Sequence, residues 1–358
     1  MIDSLPSLLF PLSMRARRLK LPQGRPSAFY HCLSRIVDKR PIFGPTEKDH
    51  FVSLLRECER FCRVRVLTFA VMHNHFHILL EVPQRPDPLS LPSPLQIIAD
   101  LKLLSGHQFP GAVRQRFDAL SSNPADKPAL DAYLASFHAR MFDVSAFMKL
   151  LKQRFSQWYN ARNARKGTLW EERFRSVLVD GAGEALLTMA AYIDLNPVRA
   201  GIVQDPKDYR WSGYGEAMAA CKRARLGIQR LATALQHGHE ESPARSLELY
   251  RAFLHLEGDE RRQDTGPDGK PVRGSIRAEE VAKVLAAKGR LPACEYVRCR
   301  VRYFCDGAVF GTRDFVEDIF RAHRGRYGAK RTTGARKMKG LEDIPLFVLR
   351  DLQLNLFG

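Results

Sequence analysis

Apolar positions recur along the chain with two periods, and the switches between them mark out the elements. Residues 28–36 (AFYHCLSRI) form an apolar-rich run that reads as a strand. Between Thr46 and Cys62, Phe51, Leu54, Leu55, Cys58 and Phe61 recur at helical spacing, with Thr46 as the expected N-cap. Val64 to Val71 and His75 to Val82 read as strands joined by a short turn around His73–Asn74, a hairpin closed by Pro83. Residues 84–142 break this rhythm. Prolines and serines open the stretch and short helical patterns follow near 94–105 and 128–140, so it reads as an insertion inside one domain. From Asp143 to Arg162 a helix resumes, its stripe made by Val144, Phe147, Met148, Leu151, Phe155 and Trp158. A turn at Lys166–Gly167 leads to a strand at Arg173–Asp180. A helix then runs from Glu184 to Leu195 and stops at Asn196–Pro197, because a residue before proline avoids the helical region.

The order strand, helix, strand, strand, helix, strand, helix predicts an α+β fold: a ferredoxin-like split βαβ antiparallel sheet with helices on one face. In this reading residues 1–25 are a flexible basic arm and 26–220 the main domain, with the insertion at about 84–142. Residues 221–275 are a connector with a Gly/Asp/Pro-rich break at 263–275, and 276–358 a small, mostly helical, basic C-terminal domain. Helical patterns at 277–288 and 313–323 allow a helix-turn-helix-like DNA reader there. It is followed by a basic arm over 321–339 that contains no acid.

Composition narrows the class. A chain of 358 residues, 45% hydrophobic and 27% charged, can bury a core and is neither wholly disordered nor collagen-like. Leu5 to Met14 is too short to span a bilayer. Its basic cluster follows the apolar run, the wrong order for a secretory signal. No membrane association and a cytoplasmic, nucleoid-associated location are therefore expected. Lys and Arg number 57 against 39 Asp and Glu, and the net charge of +18 favours a polyanionic partner, nucleic acid foremost. The seven cysteines form no CxxC pair and read as reduced thiols. Cys294, Cys299 and Cys305 cluster but have no obvious fourth zinc ligand.

Two short constellations carry candidate chemistry. Along His75–Val82 the side chains alternate, so Phe76, Ile78, Leu80 and Val82 share one face and His75 and His77 lie side by side on the other. Two imidazoles so spaced can hold one metal ion. On the later helix Tyr192 and Asn196 are at i and i+4, on the same side. A tyrosine can attack phosphorus and hold a covalent phosphoryl group, and an asparagine carbonyl can serve a hard metal. Taken one at a time, these residues fit half-exposed sheet histidines, an edge-of-core aromatic and a helix C-cap better than they fit a site.

Together they say more. VMHNHFHILLEVP, FMKLLKQRFSQWYNARNARKGTLWEERFRS, AAYIDLNPVRAGIV and YRWSGY, with the upstream FYHCLSRIVDKRPIF, resemble the REP-associated tyrosine transposases, members of the HUH single-strand nucleases and transposases. The resemblance covers about residues 28–215 without the insertion. It implies that His75 and His77 are the HUH pair, Tyr192 the nucleophile and Asn196 the polar residue completing a site for Mg²⁺ or Mn²⁺. It further implies a metal-dependent cleavage of single-stranded DNA at hairpin-forming repeats through a 5′-phosphotyrosyl intermediate. A second 3′-hydroxyl can reverse that step, by a monomer or a homodimer. His73 stands where the family often has proline, and the insertion departs from the compact members, where it is expected to cover or reshape the DNA groove.

Single-stranded or hairpin DNA is the expected partner. Its phosphates would meet Arg35, Lys149, Lys152, Arg154, Arg165, Lys166, Arg173, Arg175 and Arg199, with Trp158, Tyr159 and Trp170 interleaved for stacking on bases. The alternatives are a catalytically silent DNA-hairpin-binding regulator of the same fold and, further off, an RNA-binding protein.

Overall fold

The computed structural model describes residues 18–21, 24–105, 109–181, 183–235, 242–259, 302–338 and 345–350. Its elements are β1 (Ser27–Arg35), α1 (Pro45–Cys62), β2 (Arg65–Val71), β3 (His75–Pro83), α2 (Pro94–Ser105), α3 (Phe109–Ser121), α4 (Lys127–His138), α5 (Val144–Arg162), β4 (Arg175–Val179), α6 (Glu184–Asp194), α7 (Asn196–Arg199), α8 (Gly213–Met218), α9 (Lys222–Leu235), α10 (Pro243–Asp259), α11 (Arg302–Cys305), β5 (Gly307–Gly311), α12 (Arg313–Ala322), β6 (Arg336–Lys337) and β7 (Phe347–Arg350). No helix among the described residues is long and apolar enough to cross a membrane.

Local chemistry accounts for the helix starts. Asp143 caps α5 by accepting from the amides of Ser145 at 2.8 Å and Ala146 at 2.9 Å. The start of α1 lies just before the expected Thr46: Gly44 precedes the first turn and Pro45 occupies it, where a missing N–H leaves nothing unpaired. Ahead of α6 stands Gly183, at φ 62° and ψ −145°, a conformation open to glycine and strained for other residues.

The strands form one seven-stranded sheet in the order β2-β3-β1-β4-β5-β7-β6. Every pairing is antiparallel except β4 with β5. Tyr30, Cys32, Phe76, Ile78 and Leu80 pack under α1 and α5. Phe29, Leu33, Leu79, Val177 and Val179 pack under α6, α9 and α10. Helices therefore cover both faces of the sheet, not one. The physical reason is in the strands themselves: β1, β3 and β4 carry apolar residues at odd and even positions alike, and a strand apolar on both sides must be buried on both.

Three further expectations change. The helices of the insertion join the core of the α1/α5 face through Ile97, Leu101, Val113, Phe117 and Phe137, so the insertion thickens the side away from His75 and His77 and does not cover a groove there. The described part of residues 276–358 is not a separate, mostly helical unit. β5 adds to the edge of β4, with Leu178 opposite Val309, and α12 buries Phe315, Val316, Ile319 and Phe320. An edge strand as apolar as β4 exposes unpaired backbone groups, and β5 satisfies them. The first half of the helix-turn-helix pattern, 277–288, lies outside the described residues. Lastly, part of the expected flexible arm is pinned. Arg18 donates to the Phe174 carbonyl at 2.7 Å and to Ser176 Oγ at 3.0 Å, its guanidinium lies 3.3 Å over the Phe174 ring, and Leu19 is buried.

Candidate active site

β3 presents its histidines to the face away from α1. His77 is buried and His75 half-buried, and across the ladder they stand opposite Leu33 and Arg35 of β1. On that side α6 lays its apolar stripe, Leu186, Met189, Ala190 and Ile193, against the sheet. This brings the Tyr192 ring to 5.7 Å from the His77 ring. The helix stops as expected, at Asp194 with Leu195 as its cap, but a short second helix begins at once with Asn196. Leu195 stays helical, Pro197 sits in the first turn of α7, and Asn196 remains one turn below the tyrosine. Asn196 Nδ2 donates to the Tyr192 carbonyl at 2.8 Å, and Arg199 donates to the same oxygen at 3.1 Å while its guanidinium lies 4.9 Å from the phenol ring centre.

His75, His77, Tyr192 and Asn196 thus line one cavity of about 350 Å³, with Arg35, Arg173 and Arg175 on its wall. A second cavity of about 420 Å³ shares Glu172, Arg173, Arg175, Cys305 and Asp306 with it and runs on to Arg18.

The hydrogen bonds assign protons to both histidines. Asn74 Nδ2 donates to the Lys39 carbonyl at 2.9 Å, so its Oδ1 is the atom 2.7 Å from His75 Nδ1, and that nitrogen must donate. His77 Nδ1 lies 2.9 Å from His31 Nε2, and His31 Nδ1 lies 2.8 Å from the Phe304 carbonyl. Each imidazole of the HxH pair therefore has Nδ1 engaged, and neither Nε2 has a partner among the described residues. Burial holds His31 and His75 at about 4, and His77 falls well below the ordinary imidazole value through burial, with His75 and His31 adding to it. All three rings are neutral at pH 7.

Donor chemistry of this kind fits a divalent ion. His75 and His77 can offer Nε2 lone pairs, and Asn196 Oδ1 has no partner among the described residues. Among the described residues no three His, Cys, Asp or Glu side chains gather as ligands, so any ion here would depend on the amide and on substrate oxygens. His73 is exposed and outside the cavity.

The remaining wall comes from residues 304–306, more than a hundred positions after Tyr192. Phe304 stacks on Tyr192 at 4.5 Å, and Cys305 Sγ is 3.1 Å from the phenolic oxygen. Burial, then Cys305, raise Tyr192 above the ordinary phenol value, and burial pushes the Cys305 thiol up to about 11. Asp306 and Glu172 each hold Arg175 at 2.7 Å. Deeper in, Asp194 of α6 accepts from Thr68 Oγ1 at 2.7 Å and from the Tyr250 hydroxyl at 2.7 Å, and burial raises its carboxyl to about 7.

The basic residues divide into groups. Arg35, Arg173, Arg175 and Arg199 surround the cavity or touch Tyr192. Lys152 donates to the Glu172 carbonyl at 3.0 Å, and Arg165 to that of Thr168 at 3.1 Å; neither lines the cavity. Lys166 is exposed at the turn after α5. Lys149 and Arg154 are apart, lining a different cavity between α1, α2 and α5 with Phe61 and Leu101. Trp170 is a core residue, its indole N–H given to Ser156 Oγ at 2.7 Å, and is not free to stack on bases. Trp158 is half-buried against His50.

Sequence reasoning passed over His31, Phe304, Cys305, Asp306 and Asp194. His31 carried a signal, as a polar residue inside an apolar strand run. Residues 304–306 carried none that pointed to this site: Cys305 stood out only as one of a cysteine cluster, and the β4–β5 pairing brings it here.

No protein-family model and no curated protein matches the sequence. One solved structure similar to the chain is that of a REP-associated tyrosine transposase bound to a REP hairpin. The two are 13% identical, the match covers 56% of this chain and 86% of that one, and the TM-score is 0.34.

Proposed function

We propose that the chain is a metal-dependent single-stranded DNA endonuclease and strand transferase, with Tyr192 as nucleophile, acting on hairpin-forming repeats. The observation that carries this reading is the meeting of a tyrosine, an amide and two imidazoles with uncommitted Nε2 atoms in one arginine-walled cavity. The connectivity β1-α1-β2-β3-α5-β4, in the order β2-β3-β1-β4, suits a ferredoxin-like unit of the HUH kind.

His75, His77 and Asn196 are the residues that would hold Mg²⁺ or Mn²⁺, which when bound would polarise a scissile phosphate and offset developing charge. Arg35, Arg173 and Arg175 place the strand by its phosphates, and the joined second cavity gives its flank a path towards Arg18. Tyr192 loses its phenolic proton and forms an O–P bond. The bond to the 3′-oxygen breaks, and that oxygen leaves as a 3′-hydroxyl. Arg199 beside the ring favours the phenolate. Attack by another 3′-hydroxyl on the tyrosyl phosphate reverses the bookkeeping of bonds, so no external energy source is needed.

A binding regulator without catalysis is the second reading. It draws on the burial of Tyr192 and the capture of its hydroxyl by Cys305. Labelled single-stranded hairpins, incubated with wild type or Tyr192→Phe and with Mn²⁺, Mg²⁺ or EDTA, separate the two on denaturing gels. A metal-dependent protein–DNA adduct made only by wild type supports the transferase. Tight binding without an adduct under any metal favours the regulator, and an equal adduct from Tyr192→Phe refutes the assigned nucleophile.

A further inference from the structure

His31 has no part in the reading above, yet it is the residue that links the C-terminal addition to the HxH pair. It lies on β1, buried to 1% exposure, between the Phe304 carbonyl and His77. Its ring is stacked on that of His77 at 5.1 Å and set edge-on to Tyr192 at 6.0 Å.

The direction of its two hydrogen bonds follows from chemistry. A backbone carbonyl can only accept, so His31 Nδ1 carries a proton. With no carboxylate among its contacts, a ring this buried stays neutral, so its Nε2 bears a lone pair. His77 Nδ1 must then be the donor, and the His77 lone pair falls on Nε2. Were the His31 ring flipped, Cδ2 and Cε1 would stand in the places of its two nitrogens, and both contacts would be lost. The Phe304 carbonyl thus specifies the protonation pattern of two rings in series.

We propose that His31 is a positioning residue, relaying the Phe304 carbonyl to His77 and holding His77 as the Nδ1–H tautomer with its Nε2 lone pair left for the cavity. As far as it concerns metal affinity, this inference rests on the proposed ligand role of His77; the tautomer itself does not. Asn74 does the same for His75 from the adjacent turn, but without a link to the C-terminal addition.

Two substitutions in the full-length chain separate relay from packing. In His31→Gln the side-chain carbonyl reaches the place of Nε2 and still accepts from His77. In His31→Asn the shorter amide still donates towards Phe304 but falls short of His77. Long-range ¹H–¹⁵N spectra of the ¹⁵N-histidine-labelled protein at pH 7 read the His77 tautomer, and titration with Mn²⁺ alone, followed by its EPR signal, reads affinity. Expected are an Nδ1–H His77 in wild type and in His31→Gln, loss of that tautomer preference in His31→Asn, and Mn²⁺ binding weakened about tenfold in His31→Asn only. An Nε2–H His77 in wild type overturns the relay without need of any variant. So does a His31→Asn protein with wild-type tautomer and Mn²⁺ affinity. If wild type shows the Nδ1–H tautomer but binds no Mn²⁺, the relay stands and the metal-dependent reading falls.

Discussion

The phenolic oxygen of Tyr192 lies 3.1 Å from Sγ of Cys305, a residue 113 positions further along the chain. A nucleophile held this way has to give up one hydrogen bond before it attacks. Removing the partner should therefore speed the first step. In Cys305→Ala, single-turnover adduct formation on a hairpin oligonucleotide should rise about fivefold, the equivalent of a net hydrogen bond of about 1 kcal/mol. A rate equal to or below that of wild type would mean that the thiol does not restrain the tyrosine.

Charge around the cavity should show in the salt dependence of binding. Arg35→Ala and Arg173→Ala should each lower the slope of log affinity against log salt for single-stranded DNA by about 0.7, the value for one lost phosphate contact. Lys149→Ala and Arg154→Ala, which line the other cavity, should leave it unchanged. Filter binding from low to moderate salt distinguishes the pairs, and equal effects from all four would remove the cavity as the DNA path.

Much of this layout was legible beforehand, for identifiable reasons. A period of two along β3 placed His75 and His77 on one face, and an i, i+4 spacing put Tyr192 above Asn196. Both are local relations that need no knowledge of tertiary pairing. The second helical layer was not legible, because an apolar run such as Phe29–Leu33 does not say which of its faces is covered by what. Nor was His31, whose importance depends on the register that sets it beside His77. Phe304 and Cys305 were beyond reach altogether: they enter the site through a parallel strand pairing, which leaves no short-range mark in the sequence.

Asp143 offers a test in pH. Burial would raise its carboxyl, but its bonds to Lys20 and to the Ala146 and Ser145 amides together hold it below the ordinary value. The sign follows: a lowered folded-state value means stability that is present above the unfolded carboxylate value near 4 and is lost as pH falls through the folded one. Asp143→Ala should cost about 1 kcal/mol in chemical denaturation at pH 7. The difference from wild type should shrink on acidification below about pH 4. A constant difference down to pH 2.5 would contradict an ionised cap.

Asp194 joins α6 to β2 and α10, and its loss should be felt as stability before it is felt as chemistry. Asp194→Ala strands the Thr68 and Tyr250 hydroxyls in the core and should destabilise by about 3 kcal/mol. Thr68→Val removes one bond at nearly constant shape and should cost about 1 kcal/mol. Urea midpoints measure both, and a cost for Asp194→Ala no larger than that for Thr68→Val would deny the carboxylate its role as the junction.

The ion pair between Arg175 and Asp306 spans 131 residues, and with the β4–β5 pairing it means that the cavity lacks the part of its wall made by Cys305 and Asp306 until that segment arrives. During synthesis the ribosome would have released the histidine strand and the tyrosine helix long before residues 304–311 emerge. Throughout that interval the nascent chain holds a bare β4 edge and an unrelayed His77. Completion of the site is thereby tied to the arrival of residues 304–311, and a chain stopped before them would carry the parts of the chemistry without the frame that aligns them.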